Sequence, residues 1–164
     1  MTKRKAVSRA LSTHLNAHGE VRMVDVGHKD VTVRYAVARA QVRMLGETVA
    51  RLRSGTTPKG DVLATARIAA IQAAKRTPDL IPLCHLVALT KVDVAITLAK
   101  WGVSIDVRAE ARDRTGVEME ALVGASAGAL TIYDMLKGVD RGMSFDVALL
   151  EKSGGKSGAW TRTG

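Results

Sequence analysis

Residues 115–137, TGVEMEALVGASAGALTIYDMLK, contain no proline and place mostly Ala, Gly, Ser, Leu and Val between charged ends. This predicts one long helix whose small side chains let it pack close to its neighbours. Thr115 and Glu118 have capping-box spacing, which predicts the start. Glu118 and Glu120 sit at that end; Asp134 and Lys137, one turn apart, sit at the other. In a continuous helix Glu120 and Asp134 face within roughly 40° of each other but lie about 21 Å apart along the axis. The plain alternatives are that Glu118 only caps and that Asp134 and Lys137 are a solvated pair of little energetic weight.

The rest of the 164-residue chain bounds what this helix can serve. Hydrophobic residues at 46% and charged residues at 25% are a globular mix with enough chain for one core. No run is long and apolar enough to cross a membrane, and the basic N-terminus MTKRKAVSRALSTHL lacks the apolar core of a secretion signal. Cys84 is the only cysteine, which excludes an intrachain disulfide and a four-cysteine zinc site and fits a cytoplasmic location. The formal charge of +9 implies an anionic partner, while aromatics at 3% supply few stacking platforms for nucleic acid. A clustered phosphate pocket is the better expectation.

Taken in order, residues 1–20 read as a loose basic arm. Val31, Val33, Tyr35 and Val37 alternate with Thr32 and Arg34 as in a strand that runs on toward Met44. ETVARLR, at 47–53, predicts a short helix ended by Ser54-Gly55, and Asp61 a cap for a helix over VLATARIAAIQAAKR. Val92 to Leu98, a turn at Trp101-Gly102, and alternating Val103, Ile105, Val107 and Ala109 predict a hairpin. After the long helix comes a strand over roughly 144–150. The order β, α, β, β, α, β with an extra short helix predicts an α+β, ferredoxin-like fold. Its antiparallel sheet would carry two Ala-rich helices on one face and leave the other to a partner. The single domain is expected over 21–151, with 152–164 a flexible Gly/Ser/Lys tail that contributes to the site.

Several residues carry chemistry. Lys59 lies in a Pro-Lys-Gly-Asp turn at a helix N-terminus, where anions bind, or is simply a surface lysine. His85 follows Cys84; neighbours in an extended segment point to opposite sides, so His85 is read as an acid/base or donor rather than half of a Cys-His dyad, with a buried structural histidine as the alternative. Lys152 and Lys156 flank Ser153-Gly154-Gly155 like a phosphate clamp, without the P-loop pattern; the alternative is a basic tail.

PKGDVLATARIAAIQAAKRTPDLIPLCH, TGVEMEAL, LTIYDMLK, EKSGGKSG and, near the start, MVDVGHKDVTVR closely resemble the cyclic pyranopterin monophosphate synthases, the MoaC proteins of molybdenum cofactor biosynthesis. The resemblance covers roughly residues 14–160. It implies a ferredoxin-like lyase assembled as a homohexamer, a trimer of dimers, with active sites between subunits. It implies a substrate made by an upstream radical enzyme, a cyclised 7,8-dihydro-GTP, rearranged to cyclic pyranopterin monophosphate and pyrophosphate. By motif, Asp134, Lys137 and Lys59 match catalytic positions. Leu83, Cys84, His85, Glu118, Met119 and Glu120 match the substrate-binding loop and base-holding segment, and Arg34 and Lys152 the triphosphate positions, with Lys156 joining them. No resident metal or redox cofactor is expected, and Mg²⁺ accompanying the triphosphate is left open. Leu86 stands where the family usually has Pro, Ala159 where it often has a polar residue, and Gly124, Gly128 and Gly138 are more glycine than the helix usually carries. The competing readings are a nucleic-acid-binding module, whose binding would fall steeply with salt, and an idle paralogue; the expectation here is no nucleic-acid and no membrane partner.

Overall fold

A computed structural model describes residues 14–16 and 18–163. Most of the predicted basic arm therefore lies outside the described residues; its end forms a small bridge, Leu15 to Val21. The elements are β1 (Thr32–Arg43), α1 (Gly46–Ser54), α2 (Val62–Ala74), α3 (Thr77–Leu80), β2 (Leu89–Ala99), β3 (Gly102–Asp113), α4 (Glu118–Leu136), β4 (Ser144–Ser153) and β5 (Trp160–Thr161). The sheet order is β2-β3-β1-β4-β5 with every pair antiparallel. The first four strands are the split βαβ arrangement of a ferredoxin-like α+β fold.

Local chemistry accounts for the boundaries. Gly55 ends α1 at φ 71°, a left-handed conformation that glycine adopts without cost. The Asp61 side chain accepts from Ala64 N at 3.0 Å and caps α2. The start of α4 differs from expectation. Val117 occupies the N-cap and no side chain caps the helix. Glu118 is thus the first helical residue, where a capping box needs it third, and Thr115 is too far upstream to cap.

The core lies between the sheet and the α2/α4 layer. Ala36, Ala38, Ala40 and Val42 of β1 and Val103, Ile105, Val107 and Ala109 of β3 are buried beneath it. Alternation alone had marked Val33, Tyr35 and Val37 as the apolar face of β1, yet Val33 is 70% exposed. A period of two identifies two faces, and the helices choose between them. They settle on the alanine face because they pack close: a Cβ on Gly124 would lie 3.0 Å from Val107 and 3.1 Å from the Ala70 carbonyl, and one on Gly128 3.1 Å from Ile105. Of the extra glycines noted in the sequence, Gly124 and Gly128 are the contact surface of α4, whereas Gly138 lies beyond the helix in open space.

The opposite sheet face carries Val33, Tyr35 and Val37 beside a row of ion pairs. Arg39 grips Asp106 with two bonds of 2.6 Å, Arg108 bonds Glu110 at 2.6 Å, and Arg108 lies 3.9 Å over the Tyr35 ring. Beyond α4, the buried Asp140 carboxylate accepts from Leu45 N, Thr48 Oγ1 and Gly142 N at 2.9, 3.1 and 3.0 Å. The segment after α4 is thereby tied to the start of α1, which fixes the helix end that carries Asp134 and Lys137.

Candidate active site

The two ends of α4 build two different environments. At its C-terminal end the three predicted catalytic residues meet. Asp134 accepts from Lys137 at 2.7 Å through Oδ1 and from Lys59 at 2.9 Å through Oδ2. Lys59 also donates to the Asp134 backbone carbonyl at 3.1 Å. The turn that delivers Lys59 is closed by Gly60 at φ 82°. The Asp61 side chain caps the α2 N-terminus, and Lys59 turns to Asp134. Hydrogen bonds from Lys137 and then Lys59 hold the Asp134 carboxyl at about 2, below the usual carboxylate range, and Asp134 in turn raises Lys137. The cluster is solvent-exposed and carries one net positive charge.

At the N-terminal end, Leu83, Cys84, His85, Glu118, Met119 and Glu120 line one cavity of about 320 Å³, joined by Val24, Val26 and Lys29. Every residue expected to hold a substrate base is here. Glu120 is buried, and burial, with smaller contributions from Glu118 and Asp113, pushes its carboxyl up to about 7. Burial and then Glu120 push the Cys84 thiol up, which disfavours the nucleophilic thiolate. His85 Nε2 lies 2.6 Å from the Val24 carbonyl oxygen. A carbonyl only accepts, so Nε2 carries the proton of this bond. This bond fixes His85 without the family's usual proline; Leu86 beside it is 83% exposed.

A second cavity, about 330 Å³, shares Lys29, Thr115 and Gly116 with the first. Arg34, Arg114, Lys156 and Lys29 line it, with no acidic residue among its lining. Arg34 reaches it because it lies on the helix-side face of β1, in phase with Ala36, at the strand end where the helices no longer cover it. Its Nε donates to Asp113 O at 3.0 Å and its Nη2 to Arg114 O at 3.1 Å. Arg114 Nε donates to Lys29 O at 2.9 Å and holds the 26–29 turn in place.

Lys152 is brought to this face by a β-bulge. Val37 pairs with Glu151 but Ala38 with Leu149, so Leu150 is the extra residue. The bulge reverses the parity of β4: Glu151 turns to the open face, 3.7 Å from Arg108, and Lys152 pairs with Ala36 on the side of Arg34. Lys152 donates to Ser157, which lines the cationic cavity. The tail expected from its composition to be loose pairs back as β5, Trp160 against Lys152 and Thr161 against Glu151.

The structure thus brings together Asp134, Lys137 and Lys59 in one place, and eight of the nine residues expected to bind substrate around two adjoining cavities, with Lys152 joined to the second through Ser157. Within one chain it does not bring the two groups together, because α4 runs unbroken between them and keeps Glu120 and Asp134 about 21 Å apart. Lys29 and Arg114 were not singled out in the sequence. Their only signal there is the general excess of basic residues.

A ferredoxin-like sheet, an aspartate clamped by two lysines and a cavity that shares residues with a cationic one fit the class of enzymes that act on anionic small molecules. The profile described as the MoaC family matches residues 23–155. The chain is 54% identical over 153 residues to the cyclic pyranopterin monophosphate synthase of Thermomicrobium roseum, covering 92% of each. It is 57% identical over 149 residues to that of a Roseiflexus species, covering 89% of this chain and 94% of the relative. The chain belongs to the MoaC family.

Proposed function

We propose that this protein is a cyclic pyranopterin monophosphate synthase. It rearranges the cyclised 7,8-dihydro-GTP supplied by a radical enzyme to cyclic pyranopterin monophosphate, with release of pyrophosphate, in molybdenum cofactor biosynthesis. The observation that carries this reading is the two-part cavity. A half-buried compartment walled by Glu120, His85 and Met119 opens into one lined by four cations, and such a pair suits a molecule with a heterocyclic base at one end and a triphosphate at the other. In this reading Leu83, Cys84, His85, Glu118, Met119 and Glu120 hold the base. Arg34, Lys152 and Lys156, with Lys29 and Arg114, hold the phosphates.

Asp134, Lys137 and Lys59 move the protons. Before substrate arrives the aspartate is ionised and held between Lys137 and Lys59. A phosphate that draws one lysine away returns Asp134 toward the ordinary carboxylate range and makes it a better base. The 21 Å between Glu120 and Asp134 supports an active site completed by a second copy, whose Asp134 end meets this chain's cavity. A homohexamer built as a trimer of dimers meets that need, and a cytoplasmic location suits its free thiol, Cys84. No helix among the described residues is long and apolar enough to cross a membrane.

The decisive test incubates the purified protein with the cyclised dihydro-GTP and follows pyrophosphate. Stoichiometric pyrophosphate with cyclic pyranopterin monophosphate is expected, and intact substrate after long incubation would refute the function. Light scattering on the same sample should give a hexamer; a strictly monomeric mass would refute the shared site.

A further inference from the structure

We propose that Gly155 is a positioning residue for the anion site: its missing side chain is the space in which the Arg34 guanidinium is held. The inference rests on the reading of Arg34 as a phosphate ligand. Among the described residues Arg34 is tethered by its bonds to the carbonyls of Asp113 and Arg114. Neither partner is charged, so the side chain is aimed without being neutralised. Its other side lies against the 154–156 turn. A Cβ on Gly155 would overlap Nη1 and lie 2.7 Å from Cζ and 2.9 Å from Nη2.

The neighbouring glycine has a different task. A Cβ on Gly154 would overlap the Val33 carbonyl oxygen and lie 3.2 Å from Arg34 Cα, which are backbone atoms that cannot yield without disturbing β1. At Gly155 the obstructing atoms are the end of a long side chain. A methyl group there pushes the guanidinium off its two carbonyls and leaves the sheet intact. Both glycines have positive φ, 99° and 74°, so strain and space must be separated by the choice of variant. Gly154 thus keeps the fold, and Gly155 keeps Arg34 facing the cavity it shares with Lys156.

The test measures pyrophosphate binding by titration calorimetry on the full chain, with thermal melting as the control for folding. Gly155→Ala should weaken pyrophosphate binding about tenfold, the size of one lost charge-assisted hydrogen bond, and raise KM with kcat little changed. Gly155→Asn tolerates positive φ but still carries a Cβ, so it should be as weak as Gly155→Ala. In an Arg34→Ala background, Gly155→Ala should cost nothing further. Wild-type affinity in Gly155→Ala, rescue by Gly155→Asn, or additive losses in the double variant would each overturn the proposal. So would a Gly155→Ala protein that fails to fold even without Arg34, since the glycine would then serve the backbone alone. If Arg34→Ala itself leaves pyrophosphate binding unchanged, the phosphate role of Arg34 fails, and the inference with it.

Discussion

Glu120 and Asp134 are carboxylates on one helix, and their surroundings drive them in opposite directions. Glu120 is sealed into the cavity at the start of α4 and is pushed up to about 7. Asp134 stands in solvent at the other end and is held at about 2 by Lys137 and Lys59. Helix position contributes little: the positive end of the dipole would lower Glu120 and the negative end would raise Asp134, the reverse of both directions. Burial outweighs the dipole at one end and two ammonium groups outweigh it at the other. Two carboxyl groups whose environments push them apart suit different jobs, one retaining a proton near neutrality and the other remaining an anion.

The strongest way to break this contrast is to remove the anion. Asp134→Asn keeps the shape but loses the charge, and Lys137→Ala removes the closest cation. Each should lower turnover at least about a hundredfold, with unchanged mass by light scattering and little change in substrate binding. The double variant should be hardly worse than the poorer single one, because residues acting as a unit are non-additive. Multiplicative losses would assign the two residues to separate steps.

Acid and base should sharpen the contrast further. A carboxyl raised on folding binds its proton more tightly in the native state, so Glu120 weakens the fold as pH climbs from about 4.5 to about 7. Asp134, lowered on folding, contributes stability that is present above about 3.8 and is lost as pH falls toward about 2. Glu120→Gln should therefore flatten the decline in melting temperature between pH 4.5 and 7 and leave the acid limb in place. A decline that persists in Glu120→Gln would remove Glu120 as its source.

The smallest effect concerns how α4 holds its two ends in place. Gly124→Ala gains about 1 kcal/mol of helix propensity but overpacks against Val107 and the Ala70 carbonyl, which costs about 1–3 kcal/mol. A net fall of about 2–4 °C in melting temperature is expected. A rise would show that the α2/α4 contact has slack.

Elements specified by local chemistry were legible in the sequence. Asp61 and Gly55 mark helix ends through their own side chain or lack of one, and the Trp101-Gly102 turn divides two alternating strands. The proposed catalytic cluster was half legible: Asp134 and Lys137 are one turn apart, but only the fold, or a family likeness, adds Lys59 from 75 positions away. What was hidden depends on long-range packing. Which face of β1 is buried is decided by α2 and α4. That Lys152 shares a face with Arg34 is decided by a single unpaired residue, Leu150, whose effect on parity exists only once β4 has paired. Arg114 and Lys29 look like any other basic residues until the α4 N-terminus gathers them around one cavity.

The unbroken length of α4 has a genetic consequence. With the catalytic centre completed between copies as proposed, the two ends of one helix serve two different centres. A gene copy defective at Asp134 and another defective at Arg34 each encode a protein with one sound end. In a mixed assembly some centres would draw the sound Asp134 end from one product and the sound cavity from the other. Two alleles that are each inactive alone would then partly complement, and that behaviour would be absent if a single chain housed the whole site.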